Sequence, residues 1–229
     1  MQLKFKPAVI IFDMDGVIVD SMPYHFIAWY EALRPWGIRV NCFDVYAKEG
    51  EKWERSLRDF LIRGGQKPTP TTLRAILKTR EKIFKKYFRR FLFKGAPEFI
   101  CCLKEKGYVL ALVTGTSTRE IHHILPKKVL ECFSVVVAGD KVKNGKPHPE
   151  PYLTAAKRLG VDPSKCVVIE NAPYGITSAK RAGMYCIAIT TSLPEEYLKH
   201  ADTVVNGLND ITGIIEHACL VGKKNINSK

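Results

Sequence analysis

The chain has 229 residues, 46% of them apolar and 26% charged, with 16 Gly, 13 Pro and 7 Cys; this composition builds a packed core and excludes a collagenous, disordered or disulfide-stapled chain. Its 36 Lys and Arg against 23 Asp and Glu give a formal charge of +13, which suits anionic partners from nucleic acid to small phosphorylated molecules without choosing among them. The seven cysteines (42, 101, 102, 132, 166, 186 and 219) lack CxxC spacing and several sit in apolar runs, so a reducing compartment is expected and a zinc site is not.

The first element is "AVIIFD" at 8–13, an apolar run too short for a signal-peptide core or a membrane span. A cytoplasmic location without a membrane partner is therefore expected. Read as an interior strand, the run ends in Asp13 and Asp15, followed by Gly16. Residues 22–92 then carry helical patterns ("YHFIAWYEAL", "KWERSLRDFLIR", "LRAILKTREKIFKKYFRRFLF") and no strand. That is too long for one crossover helix. It reads as an inserted helical cap domain at 17–92, with residues 1–16 and 93–229 as the core and hinges near 16–21 and 91–97. Asp20 and Ser21 are expected to cap the first helix of the insert, with Pro23 at an early helical position. In the basic stretch Leu73, Ile76, Leu77, Ile83, Phe84, Tyr87, Phe88 and Phe91 recur at three- and four-residue steps with cations between them. This predicts an amphipathic helix with a solvated basic face rather than a nucleic-acid surface.

Beyond residue 95, apolar runs at 109–115, 134–140, 166–171 and 186–191 alternate with helical patterns at 96–106, 117–131, 149–159 and 173–182, and "ADTVV" at 201–205 is a weaker sixth strand. The rhythm is that of βαβ units, so the predicted fold is α/β, a doubly wound parallel-sheet, Rossmann-like core carrying the inserted helical cap. The polar tail "GKKNINSK" is expected to fray.

The strands close on Asp13 and Asp15, on Thr114 and Gly115, on Asp140, and on Glu170 and Asn171. The carboxyl ends of an open parallel sheet form its ligand crevice, so these polar ends are expected to converge, Asp140 being read as a cap for the following turn. Clustered carboxylates without His or Cys suit a hard cation, and Mg²⁺ is the usual partner of phosphate. Such a site serves phosphoryl transfer, one carboxylate attacking to form an aspartyl-phosphate while the other acts as general acid and then base. Thr114 with the helix-start amides, and Lys146 in "KNGKPHPEPY", supply hydrogen bonds and positive charge for the phosphoryl oxygens.

Together "DMDGVIVDS", "VTGTS", "GKPHPEPY" and "VVIENAPYGITSAKRAGM" resemble, in order and spacing, the four motifs of the haloacid dehalogenase-like superfamily. The insert resembles its first cap class, in the branch of β-phosphoglucomutase and sugar-phosphate phosphatases. The resemblance implies Asp13 as nucleophile and Asp15 as acid/base. It implies a magnesium ion held by Asp13, the Asp15 main-chain carbonyl, Glu170 and residue 171, with Thr114, Gly115 and Lys146 at the phosphoryl group. Where many relatives carry Glu-Asp this chain has Glu170-Asn171, one negative charge fewer. Asp15 points away from dehalogenation, since the dehalogenases lack an acid there.

"DSMPYHFIAW" resembles the start of the β-phosphoglucomutase cap, including His25, and "KEGEKWERSL" aligns with its substrate loop through Gly50, Ser56 and Leu57. Trp53 stands where the mutases carry an arginine for the distal phosphate, with Lys52 or Arg55 as replacement charges. His25, Gly50, Lys52 and Trp53 are thus the substrate-contact candidates, although an imidazole at an apolar helix start also reads as a packed or hinge residue. The expected function is a Mg²⁺-dependent phosphatase, acting as a monomer on a small phosphorylated metabolite such as a sugar phosphate. A hexose-phosphate mutase is the alternative. A nucleic-acid-binding protein on a decayed enzyme core is opposed by the intact Asp13, Asp15, Thr114 and Lys146.

Overall fold

The computed structural model describes residues 3–215; Cys219 and the tail at 222–229 lie outside the described residues. Six parallel strands, β1 (Val9–Phe12), β2 (Val109–Val113), β3 (Val135–Val137), β4 (Cys166–Glu170), β5 (Tyr185–Ile189) and β6 (Thr203–Val205), form one sheet in the order β3-β2-β1-β4-β5-β6. The weak sixth run is thus a real edge strand. β1 pairs Ile10 with Leu110 on one side and with Val167 on the other. It is buried on both faces, which is why it reads as an unbroken apolar run. The chain leaves β1 in one direction for β2 and β3 and in the other for β4 to β6, so the order reverses at β1 and its carboxyl end opens into the ligand crevice.

Side-chain alternation sends Ile10, Phe12, Leu110 and Leu112 to one face and Val9, Ile11, Ala111 and Val113 to the other. Between β1 and β2 come α1 (Met22–Leu33), α2 (Cys42–Tyr46), α3 (Trp53–Arg63) and α4 (Pro70–Tyr87), packed around their own cluster of Trp29, Leu33, Leu57, Phe60, Leu73 and Ile76. Then follow α5 (Ala96–Glu105), α6 (Thr118–Ile124), α7 (Lys127–Leu130), α8 (Glu150–Leu159) and α9 (Pro173–Arg181). The first of these lie over the Ile10 face, and α8 and α9 over the Val9 face. The two segments linking insert to sheet are hydrogen-bonded to each other, Asp20 N to Phe91 O (2.8 Å) and Phe93 N to Ile18 O (3.0 Å).

Four local expectations are corrected. The helix expected over 117–131 is two helices, because Pro126 cannot continue the ladder and holds Leu125 extended at φ −91°, ψ 137°. The strand expected to reach 140 stops at Val137 and turns through Gly139–Lys141. Asp140 caps not that turn but the start of α6, accepting from Thr118 N (2.9 Å) and Thr118 Oγ1 (2.8 Å). Ser21 does not cap α1: its backbone is already helical and its hydroxyl is turned toward Asp15, while Pro23 does sit in the first turn.

Candidate active site

β1 delivers Asp13 to the crevice, and Gly16, at φ +80°, turns the chain away. A Cβ there would lie 2.0 Å from Asn171 Nδ2, so only glycine fits between the first and last of the four motif segments. Asp13 and Asp15 are wholly buried. Lys146, reaching in from the loop before α8 and 2% exposed, places Nζ 2.6 Å from Asp13 Oδ1 and 2.6 Å from Glu170 Oε1. Glu170 is held further by Tyr152 OH (2.8 Å), Asn171 N (2.8 Å) and Ala172 N (3.2 Å), each carboxylate oxygen accepting two bonds. A Cβ at Gly175 would overlap it at 1.7 Å. Burial, with Glu170 and Asp15 adding to it, pushes Asp13 up to about 8 although Lys146 opposes. For Lys146 burial works against its charge, yet the two carboxylates outweigh it and hold the ammonium above its ordinary range.

Asp15 shows the opposite balance. Burial pushes it up, but hydrogen bonds from His25 Nε2 (3.3 Å), Ser21 Oγ (2.5 Å) and Thr116 Oγ1 (2.9 Å) prevail and hold it below its usual value. Thr114 Oγ1 is 3.3 Å from the same carboxylate. His25 accepts at Nδ1 from Arg80 Nη2 (2.6 Å), an arrangement that assigns its ring proton to Nε2, facing Asp15. The imidazole stacks on Phe84, and the Arg80 guanidinium lies 4.0 Å from the Trp53 ring centroid and 5.3 Å from that of Trp29. Arg80, hidden in the stretch read as a solvated basic face, is 5% exposed. Its signal was its place on the buried stripe Leu73, Ile76, Arg80, Phe84.

The loop before α3 is pressed onto this centre. A Cβ at Gly50 would lie 2.2 Å from Lys146 Cδ, and one at Gly115 would lie 2.9 Å from Gly50 Cα. The cavity left among Gly50, Thr114, Gly115 and Lys146 is about 10 Å³, the space of a single water centre. Lys52 is engaged away from the carboxylates, donating to Val142 O of the sheet unit (2.8 Å). Arg55 pairs with Glu51 (3.1 Å), Ser56 donates to the same Glu51 (2.7 Å), and Leu57 is in the core of the insert. Trp53, with Arg80, Ser117, Arg119, Arg74 and Lys78, lines a cavity of about 450 Å³ between the insert and α6. Glu49, which the sequence reading passed over, is 2% exposed, and the field of Asp15 and Asp13 adds to burial in raising its carboxyl well above the usual range.

A family model described as haloacid dehalogenase-like hydrolase matches residues 7–183. The chain belongs to the haloacid dehalogenase-like hydrolase family. It is 30% identical over 210 residues to the β-phosphoglucomutase of Bacillus subtilis, covering 89% of this chain and 91% of that protein. It is 35% identical over 178 residues to a phosphorylated carbohydrates phosphatase of Thermotoga maritima, covering 76% and 81%. A Bacteroides vulgatus structure with a provisional β-phosphoglucomutase assignment superposes with TM-score 0.83 at 30% identity, over 95% of this chain and 91% of that one. As a member of this family the protein is a phosphohydrolase-type enzyme, phosphatase or phosphoglucomutase-like. No helix among the described residues is long and apolar enough to cross a membrane.

The haloacid dehalogenase-like fold implies a magnesium ion, and the residues present fit one. Asp13 Oδ2 and Asn171 Oδ1 are buried and have no hydrogen-bond partner among the described residues. The Asn171 amide is anchored by Nδ2 to Ser192 Oγ (2.8 Å), which leaves its oxygen as the free end of the side chain. Hard oxygens of this kind, with the Asp15 main-chain carbonyl, are the donors magnesium takes. Among the described residues no three His, Cys, Asp or Glu side chains converge as a cluster; the donor set mixes carboxylate with amide and main-chain oxygen.

Proposed function

We propose that this enzyme is a Mg²⁺-dependent phosphatase of small phosphomonoesters, sugar phosphates foremost, acting as a monomer through an aspartyl-phosphate on Asp13. The observation that carries the reading is the contrast between two buried carboxylates. Asp13 is clamped through Oδ1 by Lys146 and keeps Oδ2 free, while Asp15 is wired through His25 to Arg80 of the helical insert. A buried carboxylate with an unengaged oxygen is suited to attack, and one bonded only to proton-donating side chains is suited to exchange a proton.

In the first step one carboxylate oxygen of Asp13 bonds to phosphorus as the bond to the leaving oxygen breaks, and that oxygen takes a proton from Asp15, which enters the step protonated although its hydrogen bonds in the closed, substrate-free arrangement favour the ionised form. In the second, water attacks phosphorus, gives a proton to Asp15, and the bond to Asp13 breaks. Lys146 and Thr114 steady the equatorial oxygens. A bound magnesium ion supplies charge that favours ionised Asp13 and neutralises the phosphoryl group. The insert acts as a cap over 17–92: the Gly50 and Lys52 contacts close it over the carboxylates, so substrate enters when it opens about 16–21 and 91–97. Incubation with a panel of sugar phosphates and Mg²⁺ tests this reading. Phosphate release that disappears in Asp13→Asn supports it, and no release from any member rejects it.

The mutase reading is favoured by one observation. The 450 Å³ cavity carries Arg74, Lys78 and Arg119, which make no side-chain hydrogen bond or ion pair among the described residues, beside Glu54, Glu81 and Glu120, and cations without a bonded partner suit a second phosphate where Trp53 replaces an arginine. Conversion of β-glucose 1-phosphate to glucose 6-phosphate, primed by glucose 1,6-bisphosphate, tests it. Free phosphate without isomer dismisses it.

A further inference from the structure

Glu49 belongs to the helical insert, yet its surroundings are those of the catalytic centre. It is 2% exposed, and its Oε2 has no hydrogen-bond partner among the described residues. The next residue, Gly50, lies against the Lys146 stem, whose Nζ bridges Asp13 and Glu170. The charged groups that act most strongly on the Glu49 carboxyl are Asp15, Asp13, Lys146 and Glu170 of the sheet unit, and Arg80 of the insert lies within its field as well. A buried carboxylate left unpaired at such a place costs several kcal/mol unless something it meets in function compensates it.

Among the described residues the other buried side-chain oxygens without a hydrogen-bond partner are Asp13 Oδ2, Asn171 Oδ1 and Glu51 Oε1, the last of which is ion-paired with Arg55. Glu170, by contrast, has both oxygens doubly engaged by Lys146, Tyr152 and two amides, and serves to hold Lys146 and the loop at 171. The donors free to meet a cation from the sheet side therefore carry a single negative charge, that of Asp13, because position 171 is an amide. We propose that Glu49 completes the divalent-cation site from the insert, restoring the charge that Asn171 withholds, so that the full coordination shell exists only with the insert closed. The inference rests on the magnesium reading above and adds to it a ligand from the other side of the crevice.

It also gives closure a thermodynamic partner. A cation bound by groups on both units favours the closed state by the difference in its affinity for the two states. Ligand charge count is a main determinant of affinity at oxygen sites.

The test is calorimetric titration of the full chain with Mg²⁺, substrate absent. Glu49→Gln keeps the shape and removes the charge, and the expected result is an affinity about tenfold or more below that of the unaltered chain. Glu51→Gln, in the same loop but bonded to Ser56 and Arg55, should bind Mg²⁺ as the unaltered chain does. Adding Asn171→Asp to Glu49→Gln should recover most of the loss by returning the charge to the sheet side. Equal affinity of Glu49→Gln and the unaltered chain overturns this inference alone, leaving Glu49 to contact substrate. Absence of Mg²⁺ binding by the unaltered chain overturns this inference and the magnesium reading together. A loss that Asn171→Asp does not recover, or one matched by Glu51→Gln, also overturns it, since the effect is then not one of ligand charge.

Discussion

Replacing Arg80 by Met separates catalysis from stability. The side chain is buried, donates to His25 Nδ1 at 2.6 Å and lies 4.0 Å from the Trp53 ring centroid. Met fills much of the same volume and removes the guanidinium. The charge-assisted hydrogen bond is worth about 1.5–3 kcal/mol and the desolvated cation–π contact about 2 kcal/mol. Against these stands a desolvation penalty of several kcal/mol that the Met variant escapes. Burial lowers the arginine to about 10 against the opposing field of Glu120, Glu49, Asp15 and Glu81, and Arg80 Nε has no partner among the described residues. The terms nearly cancel, so Tm should move by no more than a few degrees, at about 2–4 °C per kcal/mol for a chain of this size. The catalytic effect has no such compensation. Without the donor at Nδ1 the imidazole is free to change tautomer or turn from Asp15, and losing a positioning partner of this kind costs about 10- to 100-fold. A correctly placed general acid contributes about 10²- to 10⁴-fold in all. The assay compares kcat/KM, which reports the step forming the aspartyl-phosphate, for a sugar phosphate and for p-nitrophenyl phosphate, whose leaving group needs little protonation. The loss should fall on the sugar phosphate. An equal loss on both substrates would refute the link from Arg80 through His25 to the acid.

Lys146→Met leaves two buried carboxylates without their shared cation; it should cost about 3–5 kcal/mol in denaturant titration and about 10²- to 10³-fold in kcat. Gly50→Ala places a Cβ 2.2 Å from Lys146 Cδ at φ +78°, about 1–2 kcal/mol of backbone strain before the clash. Small-angle scattering should find the insert more open and kcat/KM reduced, and an unchanged kcat/KM would count against the closed contact. Asp140→Ala removes the remote cap of α6; the group is mostly exposed, so the loss is discounted to about 0.5–1 kcal/mol at pH 7. Because the Thr118 bonds lower the Asp140 pKa against an opposing burial, its contribution is present above the ordinary carboxyl value of 3.8. It disappears as pH falls through the depressed folded value, so variant and unaltered chain should converge in acid.

The sheet was readable because its strands are short apolar runs, the central β1 and β4 buried along their whole length and ended by polar residues, and parallel topology gathers those ends. Asp13, Lys146 and Glu170, far apart in the chain, meet within 2.6 Å contacts for that reason. The insert was readable as helices but not in its orientation over the sheet, and every residue passed over depends on that orientation. Arg80 looked like one more surface cation until α4 turned its Leu73–Phe84 stripe inward, and Glu49 is an ordinary loop acid unless the loop is pressed onto Lys146. Lys52 shows the converse: a candidate for substrate charge whose ammonium binds the Val142 carbonyl instead. The break at Pro126 was in the sequence, and the periodicity on either side hid it.

Reductive trapping of the phosphorylated enzyme asks most directly whether Asp13 takes the phosphoryl group. The protein is mixed with substrate and Mg²⁺, quenched with borohydride, which reduces an acyl phosphate to the alcohol, and digested for mass spectrometry. The account predicts reduction at Asp13, present only when substrate is added, absent from Asp15 and Glu170, and lost in Asp13→Asn. Steady release of phosphate with no reduced Asp13, or with the modification on another side chain, would contradict it.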